Sequence, residues 1–216
     1  MFKVKDVMTK DVICTESDAS ISRLIDIMKA NNIHRVPVVD HNKKLVGLIT
    51  EGTISENGGG MATSLSIYEL NYLMSKTKVE TVMVKNVITV KDYDLVETAT
   101  ERMLTNDIGC LPVVNDDNEV VGIVTQNDVF STFLTMLGWG HKGARITVSV
   151  KDEIGTVGKL SKIFVDQNIN IQSIGVYPQE DGTADLLIRC DSVVNDELMK
   201  TLEDAGMKVN EVYKNE

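Results

Sequence analysis

The chain has 216 residues, 43% of them hydrophobic, with 22 Lys and Arg against 32 Asp and Glu, a formal net charge of −10 at pH 7. At roughly 100–200 residues per domain this length holds one large or two modest domains, and acidic charge spread along the chain repels nucleic acid over most of the surface. No apolar run approaches the roughly 20 residues of a membrane helix, the opening M-F-K-V-K-D lacks the apolar core of a secretory signal, and three widely spaced cysteines, Cys14, Cys110 and Cys190, read as buried thiols of a reducing cytoplasm rather than a metal site or disulfide frame.

In chain order, the first feature is a repeat. V-K-D-V-M-T-K-D-V-I at Val4 to Ile13 returns as V-E-T-V-M-V-K-N-V-I at Val79 to Ile88, and the same offset of 75 (79 − 4) carries V-P-V-V at Val36 onto L-P-V-V at Leu111, and V-G-L-I-T at Val46 onto V-G-I-V-T at Val121. A duplicated unit this small cannot bury its apolar face alone, so the two copies are expected to pack around a pseudo-twofold axis, with any ligand cleft belonging to the pair. Each copy reads as strand, helix, strand, strand, helix. Ile21, Leu24, Ile25 and Met28 form a helical stripe, echoed by Val96, Ala99 and Met103. A hairpin follows, with Pro37 and Pro112 at strand starts or edges.

The second helix is where the copies part. Val129, Phe130, Phe133, Leu134 and Leu137 continue helically from Asp128, whereas T-I-S-E-N-G-G-G stands in the first repeat and is expected to break at Gly58 to Gly60, with helix resuming over Ile67 to Met74. The triple glycine reads as a connector and not a phosphate loop, since no Gly-Lys-Ser/Thr follows it. Beyond G-W-G-H-K-G (Gly138 to Gly143) the pattern becomes β-α-β-β-α-β. It comprises an alternating strand through Ile146, Val148 and Val150, a helix with Val157, Leu160 and Phe164, strands near Ile171 to Tyr177 and Ala184 to Cys190, a helix through Leu198 and Leu202, and a last strand from Lys208 to Tyr213.

The doubled V-M-T…V-P-V-V…G-L-I-T pattern resembles a tandem pair of CBS domains (a Bateman module), and A-R-I-T-V-S-V-K-D-E-I-G with the later N-I-N-I is similar to an ACT domain. The whole resembles the CBS-plus-ACT acetoin utilization proteins. The implied fold is α/β (α+β): a tandem CBS pair over 1–137 (repeat 1 about 1–56, connector and helix 57–77, repeat 2 about 78–137), a hinge at 138–143, and a ferredoxin-like ACT domain over 144–216.

The CBS resemblance implies an adenine nucleotide between the repeats, with G-h-h-[ST]-x-x-D supplying a hydroxyl and a carboxylate to ribose. Repeat 2 has the full pattern in Thr125, Asn127 and Asp128, whereas repeat 1 has Thr53 where the carboxylate would be. T-x-x-D before an apolar run is also a helix capping box, and both roles can be filled at once. His34 and Arg35 resemble the H-R-h-P-V form that contacts phosphate, replaced by Gly109 and Cys110 in repeat 2. Thr9, Ile13, Ile33 and Arg35 are then expected to face Thr125 and Asp128, with the two isoleucines sandwiching adenine. The ACT resemblance points to an amino-acid-type ligand near Asp152, Gly155, Asn170 and Ile171, although the family's turn proline is absent; each of these also suits an ordinary turn.

His34, His41 and His141 sit in no metal-ligand or nucleophile signature, and G-x-S-x-G, H-E-x-x-H and C-x-x-C are absent, so no catalytic residues, metal or cofactor are expected. Three readings stay open. One is a cytoplasmic, homodimeric regulator, paired through CBS and ACT surfaces, that senses AMP, ADP, ATP or cyclic di-AMP and acts on an unidentified protein partner, with neither nucleic acid nor membrane involved. Another is a protein–protein interaction module with vestigial clefts. The third, an enzyme acting on a nucleotide, has no visible nucleophile.

Overall fold

The computed structural model describes residues 2–59 and 66–215. The chain divides into two compact units, Met1–Phe130 and Ser131–Glu216. In the first unit the elements run α1 (Val4–Val7), β1 (Thr15–Glu16), α2 (Ile21–Asn31), β2 (Arg35–Val39), β3 (Leu45–Thr50), α3 (Glu51–Gly59), α4 (Ile67–Lys76), β4 (Val90–Lys91), α5 (Val96–Asn106), β5 (Cys110–Val114) and β6 (Val120–Thr125). Helix α6 (Gln126–Met136) carries the chain into the second unit.

Each repeat builds a three-stranded sheet, β1-β2-β3 or β4-β5-β6, with one parallel and one antiparallel pairing. The helical stripes close these sheets: Ile21, Leu24 and Met28 against Val36, Val38 and Ile49 in the first, Ala99 and Met103 against Leu111, Val113 and Val124 in the second. Both α2 and α5 end on a left-handed residue, Asn32 (φ 51°) and Asp107 (φ 52°), which are 75 positions apart (107 − 32). Asn and Asp are the non-glycine residues that adopt this conformation most readily.

The V-M segment that opens each repeat crosses to the other repeat's core. Val4 is buried in the core of repeat 2, and Val79 in that of repeat 1. Thr9 bridges Ile123, and Val84 bridges Leu48, which is the same pairing displaced by 75 at each end (84 − 9 and 123 − 48). A Cβ on Gly122 would lie 2.3 Å from Met8 Sδ and one on Gly47 2.4 Å from Met83 Sδ. The methionine of V-M therefore occupies the space left by the glycine of V-G in the opposite repeat, a size match that holds each segment in place. The hairpin turns also meet: Leu45 N–H donates to Asn118 O (3.0 Å) and Val120 N–H to Lys43 O (3.3 Å).

Two sequence expectations are corrected, on the opening segments and on Cys14. The segment opening each repeat is not a strand: it starts as a helical turn, α1 or a 3-10 turn at Val79–Thr81, and the strands β1 and β4 that follow have two residues each. Helix α3, started by Thr50 and Thr53, ends at Gly59, within the stretch expected to break it; Gly60 lies outside the described residues. Cys110 and Cys190 are buried, but Cys14 is only partly so, and all three are free thiols.

The second unit comprises β7 (Gly143–Lys151), α7 (Thr156–Asp166), β8 (Ile171–Pro178), β9 (Thr183–Cys190), α8 (Asp196–Asp204) and β10 (Lys208–Asn215), with the antiparallel strand order β10-β7-β9-β8. Leu160, Phe164, Leu198 and Leu202 from the helices pack on Ile146, Val148, Leu186 and Ile188 from the sheet. The segment expected to act as a hinge packs within this unit. Ser173 Oγ donates to Leu137 O (3.1 Å), Gly138 has φ +68°, and the Trp139 ring lies 5.3 Å from the Arg189 guanidinium.

Candidate functional site

Strand β2 pairs antiparallel with β3, setting Arg35 opposite Thr50, and Glu51 N–H donates to His34 O (3.1 Å), which ties the start of α3 to the residue before β2. Against this corner rests the segment from the other repeat held by the Leu48–Val84 bridge. The result is a cavity of about 600 Å³. Leu48, Val84, Val87, Ile88 and Ile108 supply its apolar lining, Thr50 and Thr53 its hydroxyls, Arg35 its guanidinium, His34 an imidazole, and Glu51, Glu56 and Asp107 its carboxylates. Its volume is in the range of small-molecule pockets, which combine apolar walls with a few convergent polar groups.

Thr50 and Thr53 interlock: Thr50 N–H donates to Thr53 Oγ1 (2.8 Å) and Thr53 N–H to Thr50 Oγ1 (3.1 Å). Threonine thus does the capping work of the Asp expected there. In repeat 2, Asp128 accepts from both the N–H and the hydroxyl of Thr125 (2.7 Å each), and Asp128 N–H donates to Thr125 Oγ1 (3.4 Å). The capping box is therefore present. Asp128→Ala removes the acceptor for the Thr125 amide and is expected to destabilise the first unit by about 1 kcal/mol, read as a lower urea midpoint with unchanged slope.

Arg35 is half-buried, and its Nη2 would be 3.1 Å from a Cβ on Gly109. Glycine at 109 makes room for the guanidinium. Burial pushes the Cys110 thiol up from its ordinary pKa, with Arg35 partly opposing, which disfavours the thiolate. His34 Nδ1 lies 3.0 Å from Glu51 Oε2, both well exposed.

Of the eight residues singled out for nucleotide binding, His34 and Arg35 line the cavity. The other six lie outside its lining. Thr9 is exposed and bridged to Ile123, Ile13 is 37% exposed, Ile33 is half-buried against the core of repeat 1, Asn127 is exposed, and Thr125 and Asp128 cap α6. They map onto the cavity through the repeat: adding 75 to Thr9, Ile13 and Ile33 gives Val84, Ile88 and Ile108, while subtracting 75 from Thr125 and Asp128 gives Thr50 and Thr53. The expected set thus combines two residues of this cavity with six whose repeat counterparts line it. The signal for those counterparts was the repeat offset itself.

In the second unit the candidate residues separate. Asp152 and Gly155 follow the end of β7 that pairs with Thr183, whereas Asn170 and Ile171 stand at the start of β8, which pairs with Cys190. These registers are seven residues apart along β9 (190 − 183), roughly 23 Å at about 3.3 Å per residue. One chain does not bring the two pairs together, because α7 returns along the sheet between them. Gly155 (φ +94°) is the N-cap of α7, beside a cavity of about 220 Å³ with Lys151, Glu153, Thr156 and Lys159 in its lining, and Asn170 N–H donates to Asp191 Oδ1 (3.1 Å). No cluster of metal-ligating side chains occurs among the described residues.

These crossed repeats and the β10-β7-β9-β8 sheet match known families. The CBS domain description fits residues 4–58 and 79–134 and the ACT domain description residues 144–206. The chain belongs to the CBS domain family, as a tandem pair followed by an ACT domain. Among solved structures it is similar to the CBS domain pair of protein MJ0100 in complex with 5'-methylthioadenosine and S-adenosyl-L-methionine, with 33% identity and TM-score 0.52, covering 62% of this chain and 96% of that one. It is also similar to an acetoin utilization protein (AcuB) from Vibrio cholerae, with 28% identity and TM-score 0.53, over 64% of this chain and 94% of that one. A homoserine O-acetyltransferase of Methanohalobium evestigatum is 31% identical over 126 residues, 58% of this chain, but the chain spans only 23% of that enzyme's length. No helix among the described residues is long and apolar enough to cross a membrane.

Proposed function

We propose that this protein is a cytoplasmic, homodimeric regulator whose CBS pair binds an adenine nucleotide and passes its occupancy to the ACT domain and a protein partner, without a catalytic step of its own. The observation that carries this reading is the cavity of about 600 Å³ at the end of β3, where apolar walls stand beside two hydroxyls, a guanidinium and a carboxylate at Asp107. Adenine is held by Val84, Val87, Ile88 and Ile108, the ribose hydroxyls meet Thr50, Thr53 or Asp107, and phosphate meets Arg35, whose planar fork matches it in two contacts. Support comes also from the MJ0100 pair, which carries two adenosyl compounds. The alternative, an interaction module with vestigial clefts, draws on the missing ribose carboxylate at Thr53.

The lining charge ranks the ligands. Glu51, Glu56 and Asp107 oppose each added phosphate, and Arg35 answers one. Affinity is expected to fall from AMP to ADP to ATP, with uncharged 5'-methylthioadenosine retaining much of the AMP value. Calorimetric titration of the full chain with these four compounds and cyclic di-AMP checks the order. A rising order from AMP to ATP overturns the assignment of phosphate to this cavity, and no binding by any of them leaves the interaction module.

A further inference from the structure

On the second face of the ACT sheet, turned away from α7 and α8, the carboxylates of Glu211 and Asp185 are engaged by Arg145 and by Ser149 and Gln179, which leaves one cation without an acid. Arg145 on β7 stands directly opposite Arg189 on β9, and Arg189 opposite Ser173 on β8. Like charges directly across a sheet repel. Arg145 is answered by Glu211, whose carboxylate lies 3.2 Å from Nη1. Arg189 is 4% exposed, its Nε is buried with no acceptor, and no acidic side chain among the described residues pairs with it. The ring of Trp139 lies 5.3 Å from the guanidinium.

A cation–π contact to a half-exposed ring offsets only part of the cost of withdrawing a guanidinium from water. Burial and the neighbouring Arg145 both lower the Arg189 pKa from its ordinary value, which records the same imbalance. One position along the face, Thr147 Oγ1 is also buried without a partner. Buried polar groups in native proteins are almost always satisfied, so two orphans on one face, beside two cations, need an explanation.

We propose that this face binds a small oxyanion, a carboxylate or phosphate group, between Arg145 and Arg189, with the Thr147 hydroxyl as a further donor and Trp139 as the cover. Trp139 is 58% exposed and flanked by Gly138 and Gly140, both at positive φ, so it can lift on backbone angles that glycine tolerates. The site is independent of the nucleotide cavity.

Trp139 is the only tryptophan, so its emission reads the site directly. The full chain is titrated with acetate and with phosphate against chloride at matched ionic strength and pH. The expected result is a saturable emission change with acetate, phosphate or both, and a Tm that climbs with the logarithm of that anion's concentration; which anion acts names the group. Arg189→Met is expected to abolish both responses while keeping a Tm in chloride at or above that of the native protein, since replacing an unpaired buried cation by an apolar side chain is neutral or stabilising. Should Arg189→Met fail to fold, the partly exposed Arg145→Gln decides, with an expected loss of at least tenfold in apparent affinity. No saturable response, equal response to chloride, or a response that survives in the folded arginine variant overturns the site. So does a response lost in Arg35→Ala, which would place the anion in the CBS cavity.

Discussion

Replacing Arg35 by alanine is expected to weaken AMP binding by about 1.5–3 kcal/mol, the range for hydrogen bonds to charged groups, which corresponds to roughly 10- to 150-fold in Kd. Two features make this residue the largest single contributor to the proposed site. Arg35 begins β2 with its backbone paired to Thr50, so the strand fixes where its side chain starts. Its guanidinium then fills the space beside Gly109, which lacks the side chain that would exclude it. A half-buried, positioned guanidinium loses less entropy on binding phosphate than an exposed lysine would. Titration with adenosine is the necessary control: adenosine has no phosphate and is expected to lose little affinity in the same variant. Equal losses for AMP and adenosine would mean that Arg35 shapes the pocket and does not hold the phosphate. Raising salt moderately is expected to leave AMP affinity within a few-fold, since partly buried pairs are screened less than exposed ones.

Most of the architecture was legible because it was written twice. The offset of 75 predicted paired units, and the β-α-β-β-α-β pattern after Gly143 predicted a four-stranded sheet with two helices, as found in β10-β7-β9-β8. Periodicity alone does not mark which segment joins which core; the family resemblance placed the opening segment of repeat 1 against repeat 2, and Thr9 is bridged to Ile123 there. Val4 and Val79 read as the first residues of their own repeats, yet each is buried in the other, because a short apolar segment carries no mark of the partner that covers it. The Thr50 and Thr53 side of the cavity was harder to read than its His34 and Arg35 side. A carboxylate at Asp128 is conspicuous, whereas the Thr50–Thr53 interlock that does equivalent capping work in repeat 1 uses two threonines with no distinctive spacing against the background. Pattern reading weighs residue types; the cavity is set by how far the facing segment stands off, and that depends on packing across the pair. The Arg145–Arg189 juxtaposition was likewise invisible, since 44 residues (189 − 145) and a sheet register separate two ordinary-looking arginines.

Adding a single methyl group at Gly47 is expected to damage both stability and the proposed ligand site, because this glycine is where the crossing segment seats. In Gly47→Ala the new Cβ meets Met83 Sδ at 2.4 Å, Met83 Cγ at 3.0 Å and Val84 O at 3.2 Å. Methionine can bend away, but Met83 packs against the core of repeat 1, and Val84 O is held by Leu48 N–H at 2.9 Å, so the backbone contact has little freedom. Overpacking of this kind costs about 1–3 kcal/mol. The displaced segment continues into Val87 and Ile88, which line the cavity, so affinity for an adenine ligand falls with stability. Urea unfolding followed by far-ultraviolet circular dichroism gives the first quantity and calorimetric titration the second. A double-mutant cycle with Met83→Ala isolates the cause: if the overlap with the methionine is responsible, the double variant is less destabilised than the two single variants summed, whereas additive losses would place the damage at Val84 O instead. Gly122→Ala, set against Met8 Sδ at 2.3 Å, is the matched experiment in the other repeat. It is expected to destabilise to a similar extent while leaving the cavity lined by Val84 to Ile88 intact, since the segment it displaces, around Met8 and Thr9, lies outside that lining.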